Sequence, residues 1–163
     1  MEVFRGTRLW VERRSITFPD GTIRDRLIAH PGDAVAILPI EGSICHLIRQ
    51  YRFSVGDTIL EAPAGTMEGG ERPDETARRE LAEEAGLAAG ALIPRGFIYT
   101  TPGFSDERIY LFEARDLTPT VGVMDEDEVI EPVRVPLSDL GAMIREGRIA
   151  DAKTICLFCR CLM

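Results

Sequence analysis

Three glutamates, Glu80, Glu83 and Glu84, stand beside Arg79 in the stretch ETARRELAEEAGL, residues 75–87. Carboxylate oxygens are hard donors that suit magnesium, manganese or calcium. A helix advances about 100° per residue. Measured from Glu80, Glu83 falls about 60° to one side and Glu84 about 40° to the other. The three acids share one sector. An apolar stripe of Ala77, Leu81 and Ala85 is centred about 100° away on the Glu84 side. The acidic face therefore borders the face that must be buried. A face that only met water would sit more comfortably opposite the core. Like charges at this spacing also repel. Solvation and a bound cation are the two readings, and Arg79 is placed to orient one carboxylate through a bidentate pair.

The helix that carries this face has clear limits. Pro73 suits a first helical turn, Asp74 and Glu75 suit its positive end, and Gly86 suits its close. Upstream, LWVERRSITF and TIRDRLIAH flank the turn Pro19-Asp20-Gly21 and predict an N-terminal antiparallel hairpin. AVAILPI and SICHLIRQYR flank Glu41-Gly42 and predict a second hairpin, followed by a strand in TILEAPAG. Downstream, strands are expected around GFIYTT, RIYLFEA and VIEPVRVP, with an acidic loop at Met124–Glu128. LSDLGAMIREG and DAKTICLFCRCLM predict two final helices, with Ser138 and Asp151 as N-caps. This order predicts one α/β domain over 1–163, with a mixed sheet covered by helices.

Composition narrows the function classes. The 163 residues carry a formal charge of -8, and no long basic tract appears. That argues against a nucleic-acid partner, whose phosphates need Lys and Arg. An anionic small substrate stays compatible, because bound cations reverse the local sign. The longest apolar run, Ala34 to Ile40, is too short to span a bilayer. MEVFRGTRLW lacks the apolar core of a secretory signal, so a cytoplasmic protein without a membrane partner is expected. Cys156, Cys159 and Cys161 cluster near the end, and Cys45 stands alone. With no second ligand pair in sequence, buried thiols in a helix are the favoured reading over a metal or redox role.

The spacing from Gly65 to Leu87 adds a resemblance. Gly65, then Glu71, then Arg79-Glu80-Leu81, Glu83-Glu84 and Gly86-Leu87 resemble the complete Nudix box. The resemblance implies a loop–helix–loop on an α/β/α sandwich with a mixed sheet. It implies divalent-metal hydrolysis of a nucleoside diphosphate linked to another moiety, with Mg2+ as cofactor and Mn2+ as a substitute. Glu80 and Glu84 then become the main metal ligands, with Glu83 as a further ligand or metal-water contact. The carbonyl of Ala64 completes the site, and Glu71 and Arg79 brace it.

The flanks resemble one branch of that family, the ADP-ribose pyrophosphatases. HPGDAVAILPI, IRQYR and ILEAPAG lie before the box, TTPGFSDE with Pro102 after it, and REGRIADAKTI near the end. This branch implies a homodimer in which the N-terminal strands, within residues 1–30, cross between subunits. It suggests Arg52 for phosphate or ribose contact, Glu61 for substrate contact or metal-side support, and Arg26 as a further contact. Phe104 is a candidate ring for stacking on a base. The catalytic base is expected from the acidic loop, with Glu126 favoured over Glu128. The implied reaction is hydrolysis of ADP-ribose to AMP and ribose 5-phosphate. Another nucleotide sugar, a dinucleoside polyphosphate or a non-catalytic ligand sensor are the alternatives.

Overall fold

The computed structural model describes residues 1–123 and 129–163. The apolar run at 34–40 becomes strand β4 (Ala34–Glu41). Its side chains alternate between two buried faces. Val35 and Ile37 meet one cluster, and Ala36, Leu38 and Ile40 meet another. A strand covered on both sides needs no polar alternation, which is why this stretch reads as a continuous apolar run.

Around β4 the sheet runs β10 (Ile130–Pro136), β5 (Ile44–Arg52), β4, β9 (Arg108–Pro119) and β8 (Leu87–Tyr99). β6 (Asp57–Glu61) pairs with β5, and β7 (Ala64–Thr66) pairs with β4. β4 and β9 run parallel, whereas the other pairs are antiparallel. Helix α1 (Pro73–Ala85) covers one face, burying Ala77 and Leu81 against Val35, Ile37 and Phe112. Helices α2 (Leu137–Arg145) and α3 (Ala152–Leu162) cover the other, where Leu140, Met143 and Leu157 meet Leu38 and Leu111. This is the mixed sheet covered by helices that the element order predicts, and the α/β/α sandwich that the resemblance implies.

Some local details differ from expectation. The N-terminal hairpin gains a third strand, so that β1 (Glu2–Arg5), β2 (Trp10–Thr17) and β3 (Ile23–His30) form a separate antiparallel sheet. The stretch read as one strand in TILEAPAG is two. It breaks at Ala62-Pro63 and changes partner there, and the Pro63 carbonyl accepts a hydrogen bond from Ile37 N–H at 2.9 Å. Proline cannot donate to a ladder, so the switch falls where the chain already lacks an N–H. β8 starts directly after Gly86 rather than near Gly96, through an Ala-rich segment with weak strand propensity, and its register shifts between Pro94 and Phe97. Pairing with β9 overrides that weak preference. Asp151 caps α3 as expected, accepting from Thr154 N–H at 3.0 Å. Ser138 is not an N-cap; it lies inside α2, which starts after Pro136.

All four cysteines are free thiols. Burial pushes the Cys45 thiol up to about 12 and the Cys161 thiol up to about 11. Cys45 donates to the Val135 carbonyl at 3.4 Å. A thiol is unreactive unless ionised, and only Cys159 is exposed. Titration of the native protein with a disulfide reagent should therefore label Cys159 rapidly. Cys45 should react only on unfolding, and rapid labelling of Cys45 would contradict this packing.

Candidate active site

The site is built where β7 meets α1. The chain leaves β7, turns through Glu68–Gly70 and enters α1 at Pro73. Glu71 holds this turn together. Its carboxylate accepts from Glu68 N–H at 3.0 Å and from the Thr76 hydroxyl at 2.8 Å. Glu75 closes the helix start by accepting from Arg72 N–H at 2.9 Å.

One guanidinium organises the acidic face. Arg79 Nε and Nη2 donate to the two oxygens of Glu71, each at 3.0 Å. Its Nη1 donates to Glu80 Oε1 at 2.7 Å and to Glu83 Oε2 at 3.0 Å. The Arg79 hydrogen bonds are the first cause that holds the Glu71 carboxyl down at about 2. Glu71 in turn is the main reason that Arg79 is held above the ordinary arginine range, against its own partial burial. Arg79 therefore clamps the loop residue to the helix acids.

The acids border the core as their angular positions predict. Glu80 is 8% exposed and Glu84 is 3% exposed. Glu84 Oε2 accepts from Ala64 N–H at 2.7 Å, which ties the helix to β7. Gly65 leaves the room that Glu80 occupies, because a methyl group there would overlap the Glu80 carboxylate. Its φ is not in the left-handed region, so the requirement at this position is space rather than conformation.

This donor set fits a hard divalent cation by its chemistry. Glu80, Glu83 and Glu84 lie on one helical face, and the Ala64 backbone lies against Glu84. Among the described residues no three His, Cys, Asp or Glu side chains already surround a single point. Arg79 draws Glu80 and Glu83 towards its own charge, while Ala64 N–H holds Glu84. The Nη1 contacts use one oxygen of each of Glu80 and Glu83. The bidentate pair with Glu71 does not depend on them.

Above these acids lies a cleft of about 410 Å³, lined by Arg52, Ala64, Gly65, Arg79, Glu80 and Glu83. Arg52 stands across from the helix. Its Nε and Nη2 donate to Glu61 Oε1 and Oε2 at 2.7 and 2.8 Å. Burial opposes the Arg52 charge, but the hydrogen bonds and charge of Glu61 outweigh it, so its pKa is raised. Glu61 is fully buried and does not open onto the cleft; it braces Arg52 from beneath.

A larger cavity of about 730 Å³ adjoins the first and shares Thr7, Arg8, Pro31 and Gly32 with it. Its wall includes Trp10 stacked on His30, with ring centroids 3.8 Å apart and planes 13° apart. The N-terminal sheet is held over the body at this point. Ala29 N–H donates to the Phe104 carbonyl at 2.8 Å, and His30 Nδ1 meets Asp106 at 2.7 Å.

The structure thus brings together Arg52, Ala64, Arg79, Glu80, Glu83 and Glu84, with Glu61 behind them. Arg26, Pro102 and Phe104 line neither cavity. Arg26 lies over the Phe18 ring at 5.2 Å, and Phe104 sits in an exposed turn. Glu126 and Glu128 lie outside the described residues. Gly122, just before that segment, lies against α1, where a methyl group would overlap the Ala82 carbonyl and the backbone of Glu83.

Sequence reasoning missed Thr7 and Arg8, which reach the site from the connection between β1 and β2 and carry no local signal. It also missed Lys153, which contacts Glu61. Lys153 had a signal: a cation in the first turn of a helix opposes the dipole and needs an anion nearby.

Comparison with known proteins agrees with this geometry. The NUDIX domain model matches residues 30–158. The chain is 37% identical to the ADP-ribose pyrophosphatase of Bacillus subtilis (strain 168), over 94% of this chain and 84% of that protein. It is 35% identical to the methanol dehydrogenase activator of Bacillus methanolicus, over 94% and 85% respectively. A crystal structure of an ADP compounds hydrolase superposes with a TM-score of 0.88 at 27% identity, covering 98% of this chain and 88% of that one. With its acid helix, its clamp and its sandwich all in place, the chain belongs to the Nudix family.

Proposed function

We propose that this protein hydrolyses the diphosphate of ADP-ribose to AMP and ribose 5-phosphate. One observation carries the reading: the Arg79-clamped acids form the floor of a cleft that continues into a second cavity. A diphosphate joining two bulky ends needs such a two-part space. Similarity to an ADP-ribose pyrophosphatase and to an ADP compounds hydrolase supports the choice of substrate.

When bound, a divalent cation such as Mg2+, or Mn2+ in its place, supplies charge neutralisation for the diphosphate and acidifies the attacking water. Glu80, Glu83, Glu84 and the Ala64 carbonyl would hold it. Arg52 faces the same cleft and would bind phosphate oxygens opposite the acids. Water attacks phosphorus, the bridging P–O bond breaks, and the leaving phosphate keeps the bonding electrons. Glu126 accepts the proton of the water, with Glu128 as its rival. Placement of Gly122 against α1 beside Glu83 supports a base from the segment that follows. Glu126→Gln and Glu128→Gln should separate the two. The base variant should lose about 10²–10⁴-fold in kcat, whereas the other should keep most of it. Equal, small losses in both would remove the base from this loop.

The homodimer belongs to the same reading. Val3, Phe4, Ile23 and Leu27 on the N-terminal sheet each leave more than half of their surface uncovered. Pairing there would let Arg26 and Phe104, in the turn that carries Pro102, serve a substrate held by the partner subunit. Free thiols agree with a cytoplasmic location, and no helix among the described residues is long and apolar enough to cross a membrane.

A panel of ADP-ribose, other nucleotide sugars and dinucleoside polyphosphates tests the substrate. With Mg2+ present, ADP-ribose should give the highest kcat/KM and release AMP. Placement among the poorest substrates would overturn the assignment.

A further inference from the structure

The first turn of α3 lies behind the substrate cleft and touches it through two buried chains of hydrogen bonds. Lys153, 9% exposed, sets its ammonium against Glu61 and 3.1 Å from Asp151 Oδ1. Glu61, with no exposed surface, carries the bidentate pair with Arg52. One residue further, the Thr154 hydroxyl accepts from Ala62 N–H at 2.8 Å, beside the corner that delivers Ala64 to the acids. Asp151 fixes that hydroxyl at 2.6 Å and caps the helix.

The charges explain what this arrangement does. Arg52 and Lys153 carry two positive charges, and Glu61 and Asp151 carry two negative ones. Glu61 Oε2 is shared, because Lys153 Nζ and Arg52 Nη2 both donate to it. A buried carboxylate with no other cation would draw Arg52 wholly to itself. Lys153 meets part of that demand from below, so the outer side of Arg52 keeps charge for an anionic substrate.

We propose that Lys153 is a positioning residue. Acting through Glu61, it holds the Arg52 guanidinium in the cleft and keeps its charge available to the phosphates of the substrate. Lys153 does not line the cleft and touches no reacting atom. The assignment of Arg52 to the phosphates rests on the function proposed above; the positional link between Lys153 and Arg52 does not.

Lys153→Met removes the charge and keeps the length. With ADP-ribose and Mg2+, it should raise KM about tenfold, equivalent to ~1.4 kcal/mol, and change kcat less than about twofold. Arg52→Ala should raise KM at least as much, and the double variant should match Arg52→Ala alone, because the second change then has nothing left to position. Leu157→Ala, which only loosens the buried side of α3, serves as the stability control and should leave KM unchanged. An equal KM rise in that control, or an undiminished effect of Lys153→Met in the Arg52→Ala background, would overturn the proposal.

A substrate-free readout separates this proposal from the functional reading. In the 1H–15N spectrum of the wild-type protein, Arg52 Nε–H should give a resolved, slowly exchanging signal. Lys153→Met should shift it, because Glu61 then binds Arg52 without a competing cation, whereas Leu157→Ala should not. An unchanged Arg52 signal in Lys153→Met would reject the link even if ADP-ribose is the substrate. A changed signal together with no ADP-ribose turnover in the wild type would keep the link and reject the substrate.

Discussion

Glu84→Gln should lower kcat about 10³-fold, on the order of several kcal/mol of lost charge stabilisation. The fold should survive. Glu84 is 3% exposed and accepts a hydrogen bond from Ala64 N–H at 2.7 Å. A glutamine carbonyl accepts the same bond in the same place. The substitution therefore keeps that bond and removes the negative charge. Removing charge from a nearly buried site also avoids a desolvation cost. Thermal unfolding followed by circular dichroism should shift by only about 2 °C or less, which is under 1 kcal/mol in a chain of this size. Steady-state rates across a Mg2+ titration check the catalytic half. Near-normal turnover at saturating Mg2+ would show that Glu84 is a tether for β7 and not a metal ligand.

Gly65→Ala should harm activity far more than stability, for a different reason. The new methyl group would occupy the space of the Glu80 carboxylate. Either Glu80 swings away or β7 shifts from α1. The carboxylate is the far end of a flexible side chain, so its swing is the cheaper response and stability should fall little. A displacement of about 1 Å at a reacting centre can cost ~10²-fold in rate. The variant should therefore lose ~10²-fold in kcat and need more Mg2+. Gly69→Ala is the matched control in the same turn. Nothing lies within 4 Å of a methyl group there, and its φ is not left-handed. Gly69→Ala should behave like the wild type. Equal effects of the two substitutions would mean that general loop stiffness matters, and not the contact with Glu80.

The two predictions show where the chemistry was readable. Glu80, Glu83 and Glu84 share a face because residues three and four apart always do on a helix. Their border with the core followed from Ala77 and Leu81 by the same periodicity. The role of Gly65 did not follow. Its spacing from Glu71 was visible, but the reason for glycine is the packing of β7 on α1. Glu61 shows the same limit. It reads as an edge-strand acid, yet the structure buries it completely between Arg52 and Lys153.

Sequence by itself determined the acid helix, its limits, a strand in the apolar run 34–40 and the family. These depend on neighbours a few residues apart or on fixed spacing in one segment. Tertiary structure decided which residues complete the cleft. Arg8 arrives from the connection between β1 and β2, Arg52 from β5, and the support of Arg52 from α3, which begins 100 residues later. Periodicity carries no information about such meetings, because they depend on how separately folded surfaces dock. Only the packed sandwich puts Lys153 beneath Glu61, and with it the charge that leaves Arg52 available to the cleft.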